Sequence, residues 1–144
     1  MRTVTKLLSL QDTVWVYLES EALCRRFLKD AEAEGFTFGD GVRPTGREGS
    51  DLFALRRDLT LSYLGFIGHM AFFQGETGKD APARVDYGRY LAGRDDYVLT
   101  QKGLRKLREE RLERIRREAK VRRFRERAGK EDTEDLPDPT GPEE

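Results

Sequence analysis

The sequence predicts an α+β fold: a small sheet of three to four strands in β-α-β-β-β order, covered by one helix and followed by a long charged C-terminal helix and a disordered acidic tail. Residues 13–18 form a β-branched and aromatic run, and residues 21–34 carry apolar side chains at helical spacing. Beyond residue 100 the chain is dominated by charge. The predicted segments are a compact α/β domain at 1–100, a basic helix at 101–129 and a disordered tail at 130–144.

The first strand and the first helix have the most regular patterns. Residues 13–18 (TVWVYL) are typical of a buried strand. Ser20 suits the N-cap of a helix over 21–34, and Gly35 suits its C-terminal cap. The apolar positions of this helix form one stripe that can pack on a sheet. They are Leu23, Cys24, Phe27, Leu28 and Ala31.

Two further strands are predicted as a hairpin. Residues 51–55 and 61–73 are rich in apolar side chains, and the charged residues at 56–58 suit the turn between them. Gly65 and Gly68 are interpreted as bulges or positions of close backbone approach in the second strand. In the predicted sheet, these two strands lie together with the strand at 13–18.

Shorter elements complete the predicted domain. Residues 36–38 (FTF) return to strand spacing, and residues 39–50 (GDGVRPTGREGS) form a loop. A short strand is expected at 97–99. Thr100 suits the cap of the long helix, and Gly129 suits its end.

Formal charge is segregated along the chain, although 27 basic and 27 acidic residues give a net charge of zero. Residues 1–100 hold 13 Lys and Arg against 15 Asp and Glu, and residues 101–130 hold 14 against 5, a net of +9. The last 14 residues hold 7 acids and no base. The pI near 6.6 and the mean hydropathy of -0.74 are averages over these segments. The charge that a binding partner meets is therefore that of the individual segment and not that of the whole chain.

The long helix has two halves. Its first half carries an apolar stripe about 140° wide at 100° per residue, which can dock on the domain. The stripe consists of Leu104, Leu107, Leu112, Ile115 and Ala119. Beyond Ala119 the stripe is lost and arginines crowd the last turns, so this half is expected to face solvent or a partner.

A solvated helix held by ion pairs explains part of this charge. Glutamate precedes arginine by four residues in three places, each pair contributing about 0.2–0.5 kcal/mol. The pairs are Glu110 with Arg114, Glu113 with Arg117 and Glu118 with Arg122. Most cations are left over, and guanidinium groups match phosphate geometry, which favours nucleic acid or a nucleoprotein as the partner. The predicted binding residues are Arg105, Lys106, Arg108, Arg114, Arg117, Arg122, Arg123, Arg125 and Arg127, with Arg43 and Arg47 of the glycine-rich loop.

Two alternatives stay open for this helix. Leu104, Leu107, Leu112 and Ile115 could pair helices between two copies of the chain, giving a homodimer with a structural role. Residues 97–104 (YVLTQKGL) resemble the wing strand and following helix of winged-helix DNA-binding regulators, although that fold needs a helix-turn-helix where 51–73 predict a hairpin. The acidic tail can also compete for the basic helix.

No catalytic, cofactor or metal site is predicted, and we expect a protein that is not an enzyme. His69 has no second ligand or nucleophile in a motif with it, and Cys24 lies on a core stripe. The loop at 39–50 lacks the Gly-Lys-Ser/Thr ending of a P-loop. An enzyme that uses His69 or the acids is the least favoured alternative.

The chain is expected in the reducing cytoplasm without a membrane partner. Its single cysteine cannot form an internal disulfide, and the apolar run near the N-terminus is too short for a signal-peptide core. No stretch approaches the roughly 18 apolar residues of a membrane span.

Three stretches carry a resemblance to known proteins: 34–41 (EGFTFGDG), 63–72 (YLGFIGHMAF) and 85–90 (VDYGRY). Taken together, they resemble small uncharacterised accessory proteins of bacterial phages and conjugative elements. The resemblance implies a mobile-element accessory protein, a class that includes inhibitors of host defence nucleases such as anti-CRISPR proteins. No catalytic residues come with it.

Overall fold

A computed structural model describes residues 2–75 and 81–132, with side chains as far as residue 126. The chain divides into two units, Met1–Arg105 and Lys106–Glu144. The helices are α1 (Val4–Leu7), α2 (Glu21–Ala33), α3 (Phe66–Gln74), α4 (Tyr87–Leu91) and α5 (Gln101–Asp132). The strands are β1 (Thr13–Tyr17), β2 (Thr37–Phe38), β3 (Leu52–Arg56), β4 (Thr60–Tyr63) and β5 (Ala83–Asp86). The predicted α+β class is confirmed.

The five strands form one mixed sheet in the order β2-β4-β3-β1-β5, one strand more than the predicted three to four. β1 pairs antiparallel with β3 and parallel with β5. β3 and β4 form the predicted hairpin, and β2 joins β4 in parallel. In the turn, Leu59 has a φ of 65° and donates its N–H to the carbonyl of Arg56.

Side chains of β1 alternate between two buried layers. Val14 and Val16 belong to the core cluster that includes Phe27 of α2, whose ring lies 5.8 Å from that of Phe53. Tyr17 faces the other way, with its ring centroid 6.2 Å from that of Phe72 in α3. The sheet is therefore covered by α2 on one face, as predicted, and by α3 on the other.

α2 forms where the sequence predicts it. Ser20 Oγ accepts a hydrogen bond from the N–H of Leu23 at 3.1 Å, and Gly35 has a φ of 94° just after the helix. Glu34 then caps α1, accepting the N–H of Val4 at 2.9 Å and of Thr5 at 2.7 Å. One side chain thus satisfies the unpaired donors of the preceding helix.

The strand predicted at 61–73 is wrong beyond Tyr63. Gly65 stands at the N-cap of α3 and Gly68 lies within that helix, so neither is a bulge. Leu64 fills the space beside Gly68, where an added Cβ would stand 2.9 Å from a Leu64 methyl. A helix satisfies its own backbone hydrogen bonds and turns two phenylalanines toward the sheet.

Two other predictions are corrected, and three elements of the structure were not predicted. The strand predicted at 97–99 is replaced by a 3-10 turn, Asp95–Tyr97, and a single antiparallel bridge between Val98 and Val85. α5 continues past Gly129 to Asp132. β5 and the short helices α1 and α4 were not predicted. The predicted disordered tail lies outside the described residues from 133 onward.

Among the described helices, none is both long enough and apolar enough to cross a bilayer.

Candidate nucleic-acid interface

α5 begins at a cap that the sequence predicts. Thr100 Oγ1 accepts the N–H of Gly103 at 3.1 Å, and the Thr100 carbonyl accepts the N–H of Leu104 at 2.8 Å. The first bond satisfies a donor that the first turn of a helix otherwise leaves unpaired, and the second is the first hydrogen bond within the helix itself. The helix then runs for 32 residues and sets the spacing of every cation along it.

The second half of α5 carries several cations that form no ion pair with a carboxylate of the described residues. Residues 101–126 hold 12 Lys and Arg against 5 Glu. Arg116 pairs with Glu113 at 3.6 Å, in place of the predicted pair of Glu113 with Arg117, and Glu118 forms no ion pair with Arg122. Within residues 117–125, the exposed cations without an ion pair to a described residue are Arg117, Lys120, Arg122, Arg123 and Arg125.

These five cations surround the helix. At 100° per residue, Lys120 and Arg123 lie on the face of Arg116, whereas Arg122 and Arg125 lie on the opposite face. We call residues 117–125 the cationic segment. A polyanion can therefore approach the segment from several directions and still meet guanidinium groups.

The other predicted residues of α5 differ in exposure. Arg105 and Lys106 are exposed, whereas Arg108 and Arg114 are half-buried. The side chain of Arg127 lies outside the described residues. Together with Lys102, Arg105 and Lys106 make a second group of exposed cations without an ion pair to a described residue, and the cationic segment is the larger of the two groups.

Arg43 and Arg47 are held by local carboxylates within the first unit. Arg43 lies 4.0 Å from Glu32, and Arg47 contacts Asp40 while its guanidinium lies 4.9 Å from the Phe38 ring centroid. The backbone N–H of Val42 and the Arg47 guanidinium hold the pKa of Asp40 below its ordinary value. The two loop arginines therefore already have anionic partners.

The four apolar side chains predicted to pair two copies of the chain differ in exposure. Leu104 and Leu107 are buried within a single chain. Leu112 and Ile115 are exposed, at 43% and 47%.

Phe124 is 71% exposed and has no ring or cation contact with another described residue. Phe124 is not among the binding residues predicted from the sequence, although its position among arginines is visible there.

His69, predicted in a strand, lies in α3 and has one partner on each ring nitrogen. Nε2 is 2.8 Å from Asp51 Oδ1, and Nδ1 is 3.1 Å from the carbonyl oxygen of Gly65. Partial burial lowers the pKa of His69, but these hydrogen bonds outweigh it and the net shift is upward. Two acceptors favour the doubly protonated ring, which suits a structural link between helix and sheet.

Cys24 forms part of the wall of a cleft of about 680 Å³ between α2 and residues 45–51. Burial raises the pKa of its thiol, and a Cβ added at Gly49 would stand 2.6 Å from its sulfur. Charges of both signs surround the opening, Arg25 and Lys29 among the bases. In the described part of the chain, no group of three His, Cys, Asp or Glu side chains is arranged to hold a metal ion.

Comparison of the chain with known protein families, curated proteins and solved structures finds no match. Its function is therefore argued from the charges, exposures and contacts of its own residues.

Proposed function

We propose that this protein binds nucleic acid through the cationic segment of α5, as a binding protein that performs no catalysis. The observation that carries the proposal is the set of five exposed cations without an ion pair to a described residue. Ordinary surface helices place glutamate beside such residues, and here only Glu118 lies within the segment.

The five cations lie so close together that their repulsion costs free energy when no anion is bound. A rise of 1.5 Å per residue places the five charges within about 12 Å along the axis, close to the screening length of about 8 Å at physiological salt. Their mutual repulsion is therefore only partly screened. A phosphate backbone relieves it, because arginine can form two parallel hydrogen bonds with one phosphate and condensed counterions are released.

The biological setting rests on the sequence resemblance described above. A mobile-element accessory protein with a basic helix would meet nucleic acid, or a nucleoprotein such as a host defence nuclease, in the cytoplasm. A cationic helix could oppose such a nuclease by binding its nucleic-acid substrate or guide, because the nucleic-acid channel of the nuclease is itself positively charged. The winged-helix alternative is less well supported, since residues 97–99 do not form a wing strand.

The test compares two triple variants that remove the same charge. Arg122→Gln, Arg123→Gln and Arg125→Gln neutralise the cationic segment, and Arg25→Gln, Lys29→Gln and Arg57→Gln neutralise exposed cations of the first unit. Fluorescence anisotropy with labelled single-stranded and duplex oligonucleotides, across a salt series, gives the dissociation constant and its salt dependence.

The α5 variant should bind at least about tenfold more weakly at low salt, and its slope of log Kd against log salt should fall by about 2, the loss expected for two to three phosphate contacts. The control variant should retain both values. Equal losses in the two variants, or wild-type binding by the α5 variant, would contradict the proposal.

Self-association is the second candidate, favoured by the exposure of Leu112 and Ile115. Two apolar side chains one turn apart can begin a helix pair between copies. The same salt series separates the candidates, because a protein that only self-associates would bind every oligonucleotide weakly and without a salt slope.

A further inference from the structure

We propose that Phe124 stacks on a nucleobase, so that the preferred ligand of the cationic segment is a single strand; this rests on the proposed function. The ring is 71% exposed and makes no aromatic or cation contact with another described residue. No ring or cation of the described residues therefore covers either face of it. An aromatic ring held in water costs free energy that stacking on a base would recover.

The neighbours of Phe124 on the helix suit a nucleotide. Lys120 precedes it by four residues and Arg117 by seven, which places both cations on the same side of the helix as the ring. Side chains of a helix lean toward its N-terminus, so the ring lies over the turn that carries Lys120. A base on the ring would have its phosphate beside the Lys120 ammonium.

A single strand fits this arrangement better than a duplex. Every base of a single strand offers an open π-face, whereas bases inside a duplex are already stacked on each other. Proteins that bind single strands combine a cationic track with aromatic side chains. The cationic segment has both components within three turns of helix.

An anionic membrane surface is the competing ligand for a basic helix with exposed apolar side chains. Binding in the plane of a bilayer requires one continuous apolar face. In α5, Val121 and Phe124 lie on the side opposite Leu112 and Ile115 at 100° per residue. The exposed apolar residues therefore cannot enter a bilayer together.

The decisive variant is Phe124→Leu, which keeps an apolar side chain of similar length and removes the π-face. Because the side chain is exposed, folding should be unaffected, and circular dichroism checks this. We expect a loss of about 5- to 100-fold in affinity for a single-stranded oligonucleotide, with duplex affinity and the salt slope unchanged. Phe124→Tyr should restore single-strand binding, and Val121→Ala, an exposed apolar control three residues away, should leave it unaltered.

A direct readout uses an oligonucleotide that contains 2-aminopurine, whose fluorescence changes when the base stacks. Wild type and Phe124→Tyr should change the emission, and Phe124→Leu should not. Wild-type single-strand affinity in Phe124→Leu, together with weakened binding in the Arg122, Arg123 and Arg125 variant, would overturn stacking and leave the proposed function standing. Undiminished binding in the arginine variant would remove the proposed function itself.

Discussion

His69 is a charged link between α3 and the residue that precedes β3. Its ring has an acceptor on both sides, the Asp51 carboxylate and the Gly65 carbonyl, and neither can donate a proton at neutral pH. Both bonds can be made at once only when the ring carries two protons. The link is therefore strongest when His69 is positively charged.

This predicts a specific dependence of stability on pH. The pKa of His69 is raised in the folded protein, so its contribution is complete below the unfolded-state pKa of about 6.5 and is lost as pH rises through the folded-state value. Urea unfolding of wild type from pH 5.5 to 8, below the range in which Cys24 titrates in the unfolded chain, should give a free energy of unfolding that falls with rising pH.

His69→Gln should remove this decline, because the chain contains no other histidine. Asp51→Asn should reduce it, since a neutral amide holds the imidazolium less strongly than a carboxylate. If the free energy of unfolding depends on pH in the same way in wild type and His69→Gln, the link does not contribute to stability.

At the scale of elements, α3 has two apolar faces with opposite environments. Phe72 is fully buried, with its ring centroid 6.4 Å from that of Trp15 and 5.0 Å from that of Phe73. Phe66 and Ile67 are each 80% exposed on the outer side. Residues of the same type therefore contribute very differently to stability within one nine-residue helix.

Matched substitutions in α3 should separate these two faces. Phe72→Ala removes a buried ring and should lower the free energy of unfolding by about 3–5 kcal/mol. Phe66→Ala removes an equal ring from solvent and should change stability by less than about 0.5 kcal/mol. Chemical denaturation measures both, and similar losses for the two variants would mean that the outer face of α3 is covered in solution.

An element was predicted correctly where the spacing of its apolar residues matches the face that it buries in the structure. α2 was predicted because Ser20, a single apolar stripe and Gly35 agree with one another. α3 was mistaken for a strand because its apolar residues lie on all sides, which erases the helical period. β5 was missed because its buried side chains include Arg84 and Asp86, which a sequence pattern assigns to solvent.

Those buried charges are explained by contacts that only the fold provides. Arg84 donates to the Ala71 carbonyl at 2.9 Å and lies 5.4 Å from the Trp15 ring centroid. Asp86 caps α4 by accepting the N–H groups of Gly88 and Arg89. The partners of Arg84 are distant in sequence, so no local pattern could have predicted its burial.

The candidate interface was more predictable than the sheet. Segregated charge needs no tertiary contact to be recognised, so four of the five cations of the cationic segment were predicted as binding residues from the sequence. Lys120 was not among them. Which of them lack ion pairs was not predictable, because Glu113 can reach Arg116 or Arg117 and the rotamers select Arg116. The exposure of Phe124 likewise required the structure.

At the scale of the whole molecule, opposite charges follow one another along the chain. The net of +9 over residues 101–130 is followed by 7 acids in the last 14 residues. A tethered acidic segment has a high local concentration near the helix that precedes it and competes with phosphates for the same cations. The full chain should therefore bind nucleic acid more weakly than its basic helix allows.

Truncation after Lys130 should tighten nucleic-acid binding several-fold at about 50 mM salt, and the gain should shrink as salt screens the competing charges. Anisotropy titrations of the full and truncated chains measure this. A full-length variant with its seven C-terminal acids changed to Asn and Gln controls for chain length and should match the truncation. Unchanged affinity in both variants would mean that the acids do not reach the cations.

The position of β1 between β3 and β5 determines when the sheet can be completed. Val14 pairs with Leu55 on one side and with Ala83 on the other, so the earliest strand has to wait for the last one. Until residue 86 has been synthesised, the uncharged run TVWVYL has an open edge with high β-propensity, the kind of segment that aggregates or recruits chaperones. The parallel pairing of β1 with β5 closes a long loop, and we expect it to limit the folding rate of the first unit.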